Sequence, residues 1–197
     1  IQVGLRYSPD SSDTRADIQV SPILMTSEHR PASVQIDSDD FHFGFSAALQ
    51  NARTSGELKL KSPDPYEQPI INYNYLSDAT DRARMREAVR LGIELAQDGA
   101  FDHLIAERLN PTDQDLSSDD HLDNWLLRNV YTQHHSSGTC KMGPDDDPMA
   151  VVDQYCRVRG LAGVRVVDAS VMPDVIRANT NATTIMIAEK VAEWINQ

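Results

Sequence analysis

Strand-like segments crowd the first 75 residues, and no helical period separates them. Residues 1–7, 17–25, 41–50, 57–61 and 70–74 read as strands, joined by polar turns and a proline-rich stretch over 62–69. Strands that follow one another without crossover helices pair antiparallel, so a mostly antiparallel sheet of about five strands is expected. Period 2 places Phe41, Phe43 and Phe45 on one face of the third segment and His42, Gly44 and Ser46 on the other. Pro22 interrupts the second segment and predicts an edge or a bulge there. The alternation Glu57, Leu58, Lys59, Leu60, Lys61 predicts one wet face. Residues 26–40 are polar and aspartate-rich and read as a surface loop.

The pattern then turns helical. Ser77 or Asp78 can cap a helix running to about residue 98, with Met85, Ala88, Val89, Gly92 and Ala96 as its apolar stripe, widened by Leu91 and Leu95. Arg82, Arg84, Arg86 and Glu87 are expected on the opposite side. Residues 101–108 predict a short second helix, ended by Asn110-Pro111. Ser117-x-x-Asp120 reads as a capping box opening a third, with Leu122, Trp125, Leu126 and Val130 inward. The fold class is therefore α+β, a sheet covered by helices. Beyond residue 150 the character changes. Residues 164–167 form a continuous apolar run expected to be a strand buried on both faces. The last helix, over 183–196, is apolar almost all round, with Glu189, Lys190 and Glu193 its only charges. Such a helix needs cover on more than one side, which predicts that part of a larger protein is absent or that the chain self-associates. The abrupt opening at Ile1 points the same way.

A net charge of −12 argues against nucleic-acid binding, which needs a basic face. No apolar run is long enough to span a bilayer. The aspartate runs 37–40 and 145–147 read as solvated acidic surface, since neither has the ligand alternation and glycine of a calcium loop. Cys140 and Cys156 make no disulfide framework and read as separate thiols, and no metal site is expected from them with His134 and His135. With no leader at the start, a cytoplasmic location is favoured.

Two polar stretches stand apart from this framework. One is His134-His135-Ser136-Ser137-Gly138-Thr139-Cys140-Lys141-Met142-Gly143, and the other runs from Asp168-Ala169-Ser170 to Asn179-Thr180-Asn181-Ala182-Thr183-Thr184. An imidazole can accept a proton near neutral pH. An Asn side chain cannot transfer protons, but it can hydrogen-bond an oxygen. Free N–H groups at a helix N-terminus suit an electron-rich ligand. Each residue also has a plainer reading, as a loop-holding histidine, a turn or a helix cap.

The pattern His-x-x-Gly-Thr-Cys-x-Met-Gly over His135 to Gly143 resembles the C-terminal region of the glucose–methanol–choline (GMC) flavoprotein oxidoreductases. So do Val152-Asp153, Arg157-Val158, Gly160-Leu161, the run Val164 to Pro173 and Asn179-Thr180-Asn181-Ala182. Looser matches upstream, at Ser55-Gly56, Asp64-Pro65 and Asn74-Tyr75-Leu76, extend the resemblance to most of the chain. The resemblance implies that His135 is the general base of an FAD-dependent alcohol oxidation and Asn179 its hydrogen-bonding partner, closer to the choline-type branch than to the two-histidine sugar oxidases. It makes Asp168, Ala169, Thr180, Asn181 and Thr183 cofactor contacts. His134 is then structural or a backbone flavin contact, because neighbouring side chains on a strand face opposite ways. It also implies a division at about residue 150. Residues 1–150 would form a substrate-binding domain ending in the His loop, its pocket walled by the face of His42, Gly44 and Ser46. Residues 151–197 would belong to the FAD-binding domain. No Gly-x-Gly-x-x-Gly occurs, so the phosphate cradle must come from an N-terminal domain, and the chain alone is expected not to hold FAD tightly. A lyase on the same scaffold and a non-catalytic interaction module are the other readings.

Overall fold

The computed structural model describes residues 3–26 and 42–196, so the expected loop over 27–40 and the position of Phe41 lie outside the described residues. The chain divides into two units, Ile1–Gly56 with Tyr73–Tyr131, and Glu57–Asn72 with Thr132–Gln197. The α+β class is as expected, but the five strands among the described residues form two sheets rather than one. The proline-rich stretch folds the fourth segment back onto the fifth, so these two satisfy each other and leave the others as a separate sheet.

In the first unit β1 (Leu5–Tyr7), β2 (Ile18–Met25) and β3 (His42–Leu49) form an antiparallel sheet in that order. Ile18 pairs with Leu49 and Met25 with His42. β1 covers β2 only as far as Val20, so Pro22 falls where β2 has one described neighbour and no N–H is needed on the other side. Helix α1 (Ala79–Ala96) packs on this sheet, with Gly92 facing Phe45. The core joins Ile18 and Val20 of β2 to Met85 and Ala88 of α1 and to Leu122 and Leu126 of α3 (Asp119–Asn129). Trp125 and Val130 are half-buried against it. Phe43 and Phe45 meet Phe101 through ring contacts.

Asp78 is the residue that caps α1, its Oδ1 accepting from the N–H groups of Thr80 (2.7 Å) and Asp81 (3.1 Å). Replacing Asp78 by Ala should lower the stability of this unit by about 1 kcal/mol, read as a shifted denaturant midpoint with unchanged slope. The capping box lies earlier than expected. Thr112 and Asp115 make it around the one-turn α2 (Asp113–Leu116), and Ser118 rather than Ser117 caps α3. Residues 101–108 do not form the expected helix. A 3₁₀ turn at Gly99–Phe101 places Phe101 in the aromatic cluster, and Leu104 is exposed, so no apolar face supports further turns.

The expectation for Arg84 is overturned. Asp81, Arg84, Met85 and Ala88 follow i, i+3, i+4, i+7 and are all buried. The Nη1 of Arg84 donates to Asp17 Oδ2 at 2.7 Å, and its Nη2 donates to Asp81 Oδ1. Asp81 also accepts from the backbone N–H of Arg53 (3.1 Å) and Thr54 (2.7 Å). The neighbouring arginines are not merely solvated either. Arg86 forks onto both oxygens of Asp123 at 2.8 and 2.9 Å, and Arg90 reaches Asp119 at 2.6 Å, tying α1 to α3. Glu87 accepts from the backbone N–H of Asp10 and Ser11.

In the second unit β4 (Glu57–Lys59) and β5 (Ile70–Asn72) make an antiparallel hairpin. All three residues of β4 are exposed, so the expected dry face is absent. The core gathers Val152, Cys156 and Val171 with Val191 of helix α4 (Asn181–Ile195). Residues 164–167 are not a buried strand. Arg165 makes a single bridge to Arg157, and Val164 is 45% exposed. A strand persists only where a neighbour pairs with it, and here one residue finds such a partner. In α4 only Val191 is buried, while Ile185, Met186 and Ile195 are each more than half exposed. The acidic run 145–147 is partly engaged: Asp145 pairs with Arg159 and Asp147 with Lys141, each at 2.7 Å. The hydrogen bond from Lys141 holds the Asp147 carboxyl below its ordinary pKa.

Candidate active site

The His loop belongs to the second unit. Backbone pairing holds it there. The N–H of Gly138 donates to the carbonyl of Ala169 (3.3 Å), Cys140 to Ser170 (2.9 Å) and Met142 to Val171 (2.9 Å). The motif thus lies along the Asp168-Ala169-Ser170 stretch it was singled out with. Gly138 has φ +82°, a left-handed conformation that glycine takes without steric cost. Gly143 closes the motif against Ala150 and Asp147, where a Cβ would fall 2.9 Å from that of Ala150.

This pairing, together with the start of α4, brings His135 and Asn179 together. The Nδ2 of Asn179 lies 2.8 Å from His135 Nε2, across 44 residues of sequence. The other ring nitrogen, Nδ1, lies 3.2 Å from the hydroxyl of Thr180. Thr180 is 8% exposed, His135 is half-buried and Asn179 is exposed. The imidazole is therefore gripped at both nitrogens by consecutive residues at the entrance to α4.

The remaining residues singled out from sequence fall around this pair. His134 does not sit on a strand. It takes φ +62°, its N–H donates to Thr132 Oγ1 at 3.0 Å, and its ring is exposed. A left-handed residue, rather than strand alternation, separates the two histidine rings. The Asp168 carboxylate accepts from the N–H of Ser170 at 2.7 Å and so caps its own 3₁₀ turn, Ala169–Val171. Asn181 and Thr183 lie in the first turn of α4, but neither caps it. Thr180 holds the N-cap position and makes no side-chain capping bond, leaving the first N–H groups of a 15-residue helix without a side-chain acceptor. Those donors and the positive end of the helix dipole fit an electron-rich ring edge such as that of a flavin.

Sequence reasoning missed the tie from Thr180 to His135. Its only signal was the place of Thr180 next to Asn179 at a helix entry. It also missed an open cleft of about 620 Å³ lined in part by Met142, Pro144, Asp153, Tyr155 and Arg159. Neither His135 nor Asn179 lines it. Cys140 and Cys156 are free thiols, and burial pushes the Cys156 thiol up. Among the described residues no helix is long and apolar enough to cross a membrane.

Comparison with known proteins converges on one family. Residues 52–188 match the C-terminal family model described as GMC oxidoreductase. The chain is similar to the oxygen-dependent choline dehydrogenase of Vibrio vulnificus, 38% identical over 169 residues, which covers 84% of this chain and 30% of that protein. Against the oxygen-dependent choline dehydrogenase of Burkholderia pseudomallei, identity is 46% over 156 residues, 78% of this chain and 27% of that protein. Among solved structures, pyridoxine 4-oxidase from Mesorbium loti superimposes with a TM-score of 0.81 at 27% identity, covering 97% of this chain and 37% of that one. A formate oxidase gives a TM-score of 0.76 at 27% identity, covering 91% and 31%. The chain thus spans about a third of the length of the relatives it matches, and over that span it belongs to the GMC oxidoreductase family.

Proposed function

We propose that this chain is the C-terminal part of an FAD-dependent oxidoreductase that converts a small-molecule alcohol to a carbonyl compound, with His135 as general base and Asn179 as its hydrogen-bonding partner. The observation that carries the reading is the 2.8 Å contact between Asn179 Nδ2 and His135 Nε2. An alcohol binding there would displace the Asn179 amide from Nε2, donate its O–H to Nε2 and accept from the freed amide. Breaking the O–H bond while the N–H bond forms leaves alkoxide character on carbon–oxygen and an imidazolium that stabilises developing negative charge. FAD, when bound, supplies the acceptor for the hydride leaving the same carbon. Asp168, Ala169, the His134 backbone and the first turn of α4 at Thr180, Asn181 and Thr183 would hold it, and an N-terminal domain outside this chain would complete the site. The second unit, with residues 151–197, would then be part of the FAD-binding domain, and the first unit the substrate domain.

The bare apolar side of α4 supports the need for such a domain, and predicts self-association of the isolated chain. The two free thiols suit a cytoplasmic enzyme. The test uses the full-length protein, purified and examined for bound flavin, then mixed anaerobically with a panel of alcohols that begins with choline. Bleaching of the flavin absorption with formation of the aldehyde is expected. A full-length protein that carries no flavin, or whose flavin no alcohol reduces, would refute this reading.

A further inference from the structure

Which nitrogen of His135 carries the proton decides whether it can act as a base toward an alcohol, and two neighbours bear on that choice. The Nδ2 of Asn179 is an amide NH₂, which only donates. Its contact with Nε2 therefore makes Nε2 the acceptor, with its one lone pair directed at the exposed Asn179 side chain. A neutral imidazole then has its proton on Nδ1, and the group facing Nδ1 is the Thr180 hydroxyl at 3.2 Å. Thr180 stands at the N-cap position of α4, where a threonine hydroxyl ordinarily accepts from the helix's own N–H groups. Here it makes no such bond. Its side chain is spent on the ring instead, in a position only 8% exposed, where water is a poor substitute. The carbonyl of Thr180 is fixed as well, accepting from both the N–H and the hydroxyl of Thr184 at 2.9 Å.

We propose that Thr180 is a positioning residue that holds His135 in the Nδ1–H tautomer, so that the Nε2 lone pair, which the Asn179 amide occupies at rest, passes to the substrate hydroxyl when that amide turns to the alcohol oxygen. The inference rests on His135 being the base. When Nε2 takes the alcohol proton, the Nδ1–H bond to Thr180 is retained, so the ring need not turn during the reaction. Without the hydroxyl, the ring can protonate at Nε2 instead, and the lone pair then faces away from the alcohol.

The experiment reads the tautomer directly, by ¹⁵N resonances of histidine-labelled full-length protein in the resting state, with His135→Ala used to assign the signal. In the unsubstituted protein Nδ1 is expected to carry the proton and Nε2 to be unprotonated. Thr180→Val should shift the signal toward Nε2–H and lower kcat/KM roughly three- to tenfold, the worth of one hydrogen bond. Thr180→Ser should restore both, and Thr180→Ala serves as the hydroxyl-free variant if the valine does not fold. An Nε2–H signal in the unsubstituted protein, or a tautomer unmoved in Thr180→Val, overturns the proposal. Because the spectrum needs no turnover, that result is separate from failure of the base assignment, which is read as full activity in His135→Ala.

Discussion

Replacing His135 by alanine in the full-length protein should lower kcat/KM by about 10²- to 10⁴-fold, the usual contribution of a positioned general base. Flavin content and unfolding temperature should stay near those of the unsubstituted protein, because His135 is half-buried and the two groups that hold its ring are side chains at one helix entry. The loss should fall on kcat and kcat/KM together, since proton abstraction belongs to the transition state. Asn179→Ala removes one hydrogen bond and no proton acceptor, so a smaller loss of roughly tenfold or less is expected. Activity of His135→Ala within a few-fold of the unsubstituted enzyme would remove this residue from the chemistry.

Arg84 should carry the largest single effect on stability. Its side chain is 2% exposed and bridges Asp17 and Asp81, which are buried to the same degree. Arg84→Ala leaves two carboxylates without their cation in a dry site, and should destabilise the first unit by about 3–5 kcal/mol. Against a total of roughly 5–15 kcal/mol for an ordinary domain, that is a large share. Urea unfolding followed by tryptophan fluorescence in a Trp194→Phe background reads Trp125, which packs on this unit's core. The combined variant Arg84→Met with Asp17→Asn and Asp81→Asn should recover much of the loss, because no charge is then left unpaired. A loss under 1 kcal/mol in Arg84→Ala would mean that water already reaches the cluster.

The same cluster sets an acid limit. Burial would raise the Asp81 carboxyl, but the N–H groups of Thr54 and Arg53, with the Thr54 and Arg84 side chains, outweigh it and hold it below its ordinary value. A depressed carboxyl contributes stability that is complete above its unfolded pKa of about 3.9 and is lost as pH falls through the folded value. Acid unfolding of this unit should therefore steepen below about pH 4. Asp81→Asn should remove that dependence, and the curves between pH 5 and 8 should stay flat for both proteins.

Arg84 also shows where sequence reading stops. Its spacing to Ala88 already put it on the apolar stripe, yet its charge sent it to the solvent side. A buried guanidinium is tolerable only with partners, and one of them, Asp17, lies 67 residues away. Nothing local reveals that partner. The strand expected at residues 164–167 failed for the matching reason. Its apolar run was legible, but whether a run becomes a strand depends on a neighbour that pairs with it, and among the described residues the pairing stops at one bridge, Arg157 to Arg165.

Local chemistry was decided by sequence alone. The strand segments, the cap at Asp78, the long helix, the inward faces of Leu122 and Leu126 and the two polar motifs all follow from side-chain periodicity and from groups within a few residues of each other. The pairing of those elements was left to the tertiary structure. The split into two sheets, the backbone ladder from Gly138 to Met142 and the grip of Asn179 and Thr180 on opposite nitrogens of His135 join groups that are distant in sequence. A hydrogen bond depends on distance and direction in space, and a sequence states which groups exist but not which of them come to lie 2.8 Å apart.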